Sequence, residues 1–487
     1  VLGNALLTMR DYQQALDVAL DVITLEPSNP ILLNLMGNAY LGLGNVGLAR
    51  QAFDKSVVSS SEYIPPVLSL AALDVRDGAL DKANKALDRV LLNDSKNASA
   101  MKLKSLIAEK NRNLLSAIDW LNKAMAIELD VKNGLHLVEL YLAADRMQDA
   151  RHFVTNVRTS FPGDPRPMAA EAGIALRNDN LGKAKGIYQT MQRHAEEHRS
   201  VPALLNVASL QHDMGDIDAA RATLDIANTV SPSDILVLAL RSEVEMMATD
   251  YARALKVGET LVAVQPKEPI GYRVAGDAAA MLNQTTLAES WYRRGLKQTG
   301  TSLRLALSYY QFLRREKTLQ TALTFLEQWV AQHNSQQASA HLAIAAAYTG
   351  LGQIDKAIEI NEGILSLEPE NVAALNNLAF LYLKSNDVRA QAYAEKAYKL
   401  QPGSYAILDT YGWVLTQLGQ PEAGLPLLRN ALARSANIPE IQYHYGVALH
   451  LSGRSQAGLR ELKKLLATGS DFPERETARA MVQQLSQ

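Results

Sequence analysis

A small residue recurs along this chain at a period close to 34, and that period restricts the possible folds more than any other feature. The recurring residues are Ala15, Ala49, Ala83, Ala117, Ala150, Ala184, Ala220, Ala254, Ala288, Ala322, Ala357, Ala390, Gly424 and Gly458. Nine of the thirteen steps between them are 34 residues long. A fixed period of this length is typical of stacked repeats, each of which is one helix–turn–helix unit.

Prolines follow the same register. Twelve residues after the small residue, six of the fourteen units carry proline, at Pro27, Pro162, Pro232, Pro266, Pro369 and Pro402. With 17 prolines in 487 residues, chance would place about half a proline in this column. Because proline cannot continue a helix, the column predicts where each unit ends.

A second column of small residues lies twelve positions before the first. It holds glycine in five units, at Gly3, Gly37, Gly276, Gly412 and Gly446. Two helices cross closely only where their side chains are small, so the paired columns predict a helix hairpin in every unit. Tyr310 stands where this column expects a small residue, and Asn334 stands where the terminal proline is expected. We expect bent or loosely packed units at these two places.

The unit that begins at Pro30 carries the signature residues of a known repeat. They are Leu33, Met36, Gly37, Tyr40, Ala49 and Phe53. On these positions the chain resembles the tetratricopeptide repeat family over nearly its whole length. The resemblance implies an all-α fold, an α-solenoid wound into a right-handed superhelix of about 14 helix–turn–helix units.

The repeat register also predicts the domain organisation. We expect a truncated first repeat over residues 1–29, an array of about 13 repeats over 30–472, and a capping helix over 473–487. One step of the period is lengthened near residues 192–202, where we expect an inter-repeat loop or hinge. The first repeat lacks its beginning, so we expect any targeting sequence to lie upstream of this segment.

Composition narrows the classes of function. The chain has 49 basic and 51 acidic residues and a net charge of −2, which gives no general attraction to nucleic acid or to acidic membranes. No cysteine is present, which excludes disulfides, thiol catalysis and cysteine metal sites in this segment. No apolar run is long enough to predict a membrane span. One local basic group is interpreted as solvated helix surface, with contact to an acidic partner as the alternative; its members are Arg293, Arg294, Lys297, Arg314, Arg315 and Lys317.

Two motifs suggest chemistry, and their context argues against it. Residues 42–47 (GLGNVG) match a dinucleotide-binding fingerprint, but a helical pattern precedes them where that motif requires a strand. Residues 194–198 (HAEEH) match a zinc-protease string, but they fall at a repeat end and have no third ligand by spacing. No Ser/His/Asp set can be argued from spacing either. We therefore predict no catalytic, cofactor or metal site and a protein that is not an enzyme.

In the tetratricopeptide repeat family the first helix of each unit lines a concave wall, and partners lie against that wall. Carried onto this sequence, the wall includes Asn34, Asn38, Asn206, His212, Asn376, Asn377, Phe380, Lys384 and Trp413. Asparagine amides can bond the backbone of an extended peptide through donor and acceptor alike. The resemblance thus implies a protein or extended peptide as partner in the concave groove. The alternative is that these are ordinary hydrated helix positions.

The C-terminal part carries a narrower resemblance. Residues 409–432 (DTYGWVLTQLGQPEAGLPLLRNAL), residues 443–466 (YHYGVALHLSGRSQAGLRELKKLL) and the tail resemble the tetratricopeptide-repeat lipoprotein family of the PEP-CTERM system. This resemblance implies a lipid anchor upstream and a periplasmic or outer-membrane-associated location in a Gram-negative bacterium. We expect a non-enzymatic scaffold that assists exopolysaccharide or surface-protein export. The alternatives are a cytoplasmic peptide-binding adaptor or assembly hub, and the recognition domain of a larger enzyme.

Overall fold

The computed structural model describes residues 2–435 and 437–486. Over these residues the regular secondary structure consists of 29 helices, with no strand. The predicted all-α class is therefore confirmed. Val1, Ala436 and Gln487, which belong to the predicted first repeat, array and cap, lie outside the described residues.

The chain forms two compact units, Val1–Pro232 and Ser233–Gln487. The helices of unit 1 are α1 (Leu2–Thr8), α2 (Tyr12–Ile23), α3 (Pro30–Gly42), α4 (Val46–Ser59), α5 (Ile64–Arg76), α6 (Leu80–Asn93), α7 (Ala98–Lys110), α8 (Leu114–Ile127), α9 (Val131–Ala143), α10 (Met147–Ser160), α11 (Pro165–Arg177), α12 (Leu181–Glu197), α13 (Val201–Asp213) and α14 (Ile217–Val230).

The helices of unit 2 are α15 (Ile235–Met247), α16 (Tyr251–Val264), α17 (Pro269–Met281), α18 (Thr285–Thr299), α19 (Leu303–Glu316), α20 (Leu319–His333), α21 (Ala338–Gly350), α22 (Ile354–Leu367), α23 (Val372–Lys384), α24 (Arg389–Leu400), α25 (Tyr405–Gln417), α26 (Pro421–Arg434), α27 (Pro439–Leu451), α28 (Ser455–Ala467) and α29 (Arg475–Leu485). None of the helices in the described part of the chain combines the length and hydropathy that a membrane span requires.

Consecutive helices pack as hairpin pairs, from α1 with α2 to α27 with α28. Each pair also packs against the next within its unit, and several neighbouring first helices touch directly, as α5 does with α7, α17 with α19 and α25 with α27. The odd-numbered helices are thus the first helices predicted from the sequence. The last helix, α29, packs on α28 and buries Ala478.

The two small-residue columns meet at the helix crossings. All twelve alanines of the main column are 0% exposed. Where both columns hold glycine the two backbones approach closely: a Cβ atom on Gly424 would lie 2.4 Å from the carbonyl oxygen of Gly412. One turn further along the second helix, bulky rings cover the facing glycine, since a Cβ atom on Gly37 would lie 2.3 Å from the ring of Phe53. Steric nesting of this kind explains why the period is visible in the sequence.

Residues 42–47 span the end of α3, the turn at residues 43–45 and the beginning of α4. Gly44 has a φ of +80°, a left-handed backbone conformation that glycine adopts without steric cost. A helix precedes this turn, so the glycines serve a tight helix–helix connection.

The structure corrects two expectations. Residues 192–202 were expected to form a loop, but α12 continues to Glu197 and α13 begins at Val201. The long step of the period is therefore accommodated by extra helix, and the hinge stays a prediction. Loose packing was expected at Tyr310, but its side chain is 2% exposed and its hydroxyl donates to the carbonyl of Ala343 at 3.3 Å. Asn334 ends α20 in a left-handed conformation, in place of the terminal proline.

Candidate partner-binding site

The nine residues predicted for the partner wall lie on first helices. Asn34 and Asn38 are on α3, Asn206 and His212 on α13, Asn376, Asn377, Phe380 and Lys384 on α23, and Trp413 on α25. The helices α3 and α13 belong to unit 1, whereas α23 and α25 belong to unit 2 and pack against each other. The predicted residues therefore belong to two groups, one in each unit.

The residues in unit 1 differ in their surroundings. Asn34 is half-buried, and its side-chain oxygen has no hydrogen-bond partner among the described residues. Asn206 is exposed, and His212 pairs with its neighbour Asp213 at 3.2 Å. The side-chain oxygen of Asn34 is buried as well as unpartnered, so the amide of Asn206 is the more accessible to a partner.

Asn376 and Asn377 of α23 have different roles. The side-chain oxygen of Asn376 is buried and has no hydrogen-bond partner in the described structure. Asn377 instead donates to the side-chain oxygen of Asn361 on α22 at 3.3 Å, and Asn361 is fully buried. The amide of Asn377 is thus used to join the two helices, which its sequence position did not indicate.

Phe380 and Lys384 form an exposed pair one turn apart on α23. Phe380 is 37% exposed, and the Nζ atom of Lys384 lies 4.8 Å from the centroid of its ring. A cation over an aromatic face is a weak, solvent-accessible attraction, so this pair leaves both side chains available for contact.

Trp413, which was predicted for the partner wall, is partly enclosed by its neighbours. Its ring is half-buried and stacks on His444 with centroids 4.1 Å apart and planes 16° apart. The Nδ1 atom of His444 lies 2.9 Å from a carboxylate oxygen of Asp409, which fixes the imidazole in place. The ring of Trp413 therefore packs from α25 against α27 and contributes to the packing of the last repeats.

A groove of about 1040 Å³ opens along α19 in unit 2. We call it the α19 groove. The polar side chains that α19 contributes are Arg304, Ser308, Gln311, Arg314 and Arg315, and the other polar lining residues are Asp277, Tyr292, Gln337 and Ser339. The apolar side chains are Met246, Ala280, Met281, Leu303, Leu307 and Phe312. Helices α15 and α17 and the beginning of α21 supply the other walls.

The spacing along α19 explains why these polar residues share one face. Arg304, Ser308, Gln311 and Arg315 follow one another at steps of four, three and four, which is the repeat of one helix face. Gln311 directly follows the small-residue column, as Trp413 does in its own repeat. The α19 groove therefore uses the same repeat position as the predicted wall. The sequence did not indicate this groove, because Tyr310 occupies the column position where a small residue was expected.

The arginines of the groove are differently engaged. Arg304 and Arg314 are exposed, and neither makes an ion pair with a described residue. Arg315 donates to the carbonyl of Ala280 at 3.2 Å and pairs with Glu316 at 2.7 Å. Two guanidinium groups thus face solvent without a counter-charge.

The basic group predicted from the sequence is not one patch. Arg293 pairs with Glu289 at 2.8 Å, and the guanidinium of Arg294 lies 4.3 Å from the centroid of the Trp291 ring, both on α18. Of the six predicted members, Arg314 and Arg315 line the α19 groove. The third arginine of the α19 groove, Arg304, was not a member of the predicted basic group.

Asp277 is the acidic residue that lines the groove, and its carboxylate is engaged by the fold. Tyr292 donates its hydroxyl to Asp277 at 2.6 Å, and Arg273 contacts the other carboxylate oxygen at 3.1 Å. Burial raises the pKa of Asp277 above its ordinary value, although these partners oppose the shift. Because Asp277 is directed to Tyr292 and Arg273, it does not neutralise the two exposed arginines.

The HAEEH segment lies at the end of α12. The rings of His194 and His198 are 4.3 Å apart, and His198 bonds the carbonyl of His194 at 2.8 Å. Within residues 2–435 and 437–486, no group of three or more histidine or acidic side chains is arranged to hold a metal ion.

The model of the tetratricopeptide repeat family matches residues 1–63, 68–127, 242–302 and 412–471, about half of the chain. This chain belongs to the tetratricopeptide repeat family, and its repeats make it a scaffold for protein–protein interaction. It is similar to the cellulose synthase operon protein C of Pseudomonas fluorescens (strain SBW25), with 24% identity over 390 residues. The match covers 74% of this chain and 30% of the relative, so the chain spans about a third of the relative's length.

Two solved structures that the chain matches have low sequence identity to it. A chain of the APC/C hetero-tetramer Cut9–Hcn1 is 14% identical, with a TM-score of 0.43 and coverage of 100% of this chain and 95% of that one. A chain of the Naa15/Naa10 complex bound to HypK-THB is 15% identical, with a TM-score of 0.32 and coverage of 94% and 78%.

Proposed function

We propose that this chain is a non-enzymatic scaffold of the bacterial envelope that assists export of an exopolysaccharide or a surface protein. It holds a protein partner against its first helices. We also propose that the full-length protein is periplasmic or associated with the outer membrane, and that a lipid anchor upstream of this segment holds it there. Membership of the tetratricopeptide repeat family supports the scaffold role.

The observation that carries the binding role is the α19 groove. It combines exposed guanidinium groups without counter-charge and uncovered apolar side chains on first helices. Surfaces of this composition are stabilised when a partner covers them.

The link to polysaccharide export is supported by the similarity to a protein named for the cellulose synthase operon. The C-terminal strings of residues 409–432 and 443–466 add to this support through their resemblance to an envelope lipoprotein family. Together they support a role in polysaccharide export, and the envelope location rests on the second resemblance.

The proposal is tested in the bacterium that encodes the chain. We expect deletion of the gene to reduce secreted polysaccharide or surface protein, and we expect the protein in the envelope fraction. Complementation with the unchanged gene should restore export, whereas Arg304→Gln combined with Arg314→Gln should restore it less well. Normal export after deletion would contradict the proposal. Recovery of the protein with cytosolic partners would favour the cytoplasmic adaptor instead.

A further inference from the structure

We propose that the α19 groove binds an extended protein segment that is acidic and carries apolar side chains. This inference rests on the proposed function, in which first helices hold a protein partner, and it specifies the chemistry of that partner.

Charge is the first argument. Arg304 and Arg314 are exposed and make no ion pair with the described residues, and Asp277 is occupied by Tyr292 and Arg273. The chain as a whole carries a charge of −2, so its overall charge does not attract an acidic ligand, and the exposed guanidinium groups of the groove must supply that attraction. Guanidinium groups bind carboxylates through two parallel hydrogen bonds, which makes acidic side chains the matching ligand groups.

Spacing is the second argument. Arg304 and Arg314 are ten residues apart on α19, which corresponds to about 15 Å along the helix axis. An extended chain advances about 3.3 Å per residue, so carboxylates about five residues apart can reach both arginines. Ser308 and Gln311 lie between the two arginines and offer donors and acceptors for the backbone of the bound segment.

The apolar side chains of the groove favour a peptide over an acidic polysaccharide. Met281 is 43% exposed, and Met246 and Leu307 are half-buried beside it. Methionine adapts to differently shaped apolar groups, and burying these surfaces stabilises a complex. An acidic polysaccharide supplies carboxylates but no apolar side chains, so it would leave the methionines uncovered.

The test measures binding of labelled peptides to the complete chain by fluorescence anisotropy. The probe is EDLELDE, and two matched peptides remove one feature each: QNLQLNQ lacks the charges and EDSESDE lacks the leucines. We expect each matched peptide to bind about tenfold more weakly than EDLELDE. We expect a uronic-acid oligosaccharide of equal charge not to displace the probe.

The variants separate the groove from general charge. Arg304→Gln with Arg314→Gln should weaken binding of EDLELDE about tenfold, because each exposed guanidinium loses its carboxylate. The matched control is Arg429→Gln with Arg460→Gln, which removes the same charge from exposed positions on the second helices α26 and α28. The control should leave binding unchanged, and thermal melting should show that both variants are folded.

Several results would overturn the inference. If both double variants weakened binding of EDLELDE equally, the peptide would be attracted by the overall charge of the protein and not by the groove. Displacement of the probe by the oligosaccharide, together with tight binding of EDSESDE, would assign the groove to an acidic polysaccharide. Tight binding of QNLQLNQ would show that the groove holds peptides without using the arginines, and the proposed scaffold role would then stand. Absence of binding by every peptide would end the inference, while the export assay still decides the proposed function.

Discussion

At the scale of single residues, the glycines of the helix crossings differ sharply from glycines elsewhere. A Cβ atom on Gly424 would meet the carbonyl oxygen of Gly412 at 2.4 Å and the hydroxyl of Thr416 at 2.6 Å. We expect Gly424→Ala to destabilise the protein by about 1–3 kcal/mol, because the backbone of α25 must move away. Chemical denaturation followed by circular dichroism measures the loss.

The control for this substitution is Gly363→Ala. A Cβ atom on Gly363 would meet nothing within 4 Å, and the residue lies inside α22. Alanine is favoured over glycine in a helix interior by about 0.5–1 kcal/mol, so this variant should be slightly more stable. Similar destabilisation of both variants would contradict the steric explanation of the small-residue columns.

A second residue-scale prediction concerns His136. Its Nε2 atom lies 2.8 Å from Glu109 and its Nδ1 atom 3.3 Å from Glu139. Burial lowers the pKa of His136, but the two carboxylates more than offset this, and the net pKa is raised above 6.5. The folded state therefore favours the protonated ring. Its stabilisation is complete below pH 6.5 and is lost as the pH rises through the raised pKa.

Melting temperatures of His136→Gln and the unchanged protein test this prediction. We expect the variant to be less stable at about pH 5.5 and the difference to shrink as the pH rises through the raised pKa of His136. A difference that grows with pH would contradict the assigned direction.

At the scale of helices, tyrosines join successive repeats in unit 2. The hydroxyl of Tyr348 on α21 donates to Glu327 on α20, and that of Tyr382 on α23 donates to Glu362 on α22. The bond to Glu327 and burial raise the pKa of Tyr348 to about 12. The folded state thus favours the neutral phenol, so its stabilisation is present below pH 10 and is lost as the pH rises towards 12.

The replacement Tyr348→Phe tests this link. We expect it to lower stability at neutral pH, because Glu327 loses its donor, and to remove part of the stability loss between pH 10 and about 12. Urea denaturation midpoints at a series of pH values provide the measurement. Parallel curves for the variant and the unchanged protein would show that the bond contributes nothing to the coupling between α20 and α21.

The helix pairs were predictable from the sequence because one steric requirement recurs in every unit. The spacing of Gly37 and Ala49 predicts a close helix crossing, and both residues lie at that crossing in the structure. Residues 192–197 were not predictable, because polar residues at the end of a repeat suit a helix extension as well as a loop. Lengthening of a helix changes the period without leaving a distinctive composition.

The site was less predictable than the fold. The register placed Asn34 and Phe380 on first helices, but it could not show that Asn377 is bonded to Asn361. Such pairings depend on contacts between helices, which the spacing of one helix does not contain. Arg304 escaped notice because a column that should hold a small residue holds Tyr310.

At the scale of the whole molecule, stability in a stacked-repeat protein is the sum of local terms, because each repeat contacts its immediate neighbours. A defect in the last helix should therefore stay local. Ala478 of α29 is 0% exposed and packs near Tyr443 and Phe472. A carboxylate at this position would be buried without a partner, so Ala478→Glu should detach α29 from α28.

Hydrogen exchange measured by mass spectrometry tests how far this effect travels. We expect Ala478→Glu to increase exchange in α27, α28 and α29 and to leave α3 and α4 of unit 1 unchanged. Ala480→Glu places the same charge on an exposed position of the same helix and should leave exchange in α27 and α28 as it is. Increased exchange along the entire chain would show that the repeats unfold as one cooperative body. A partner bound in the α19 groove would then stabilise the whole array, whereas local unfolding confines its effect to the neighbouring repeats.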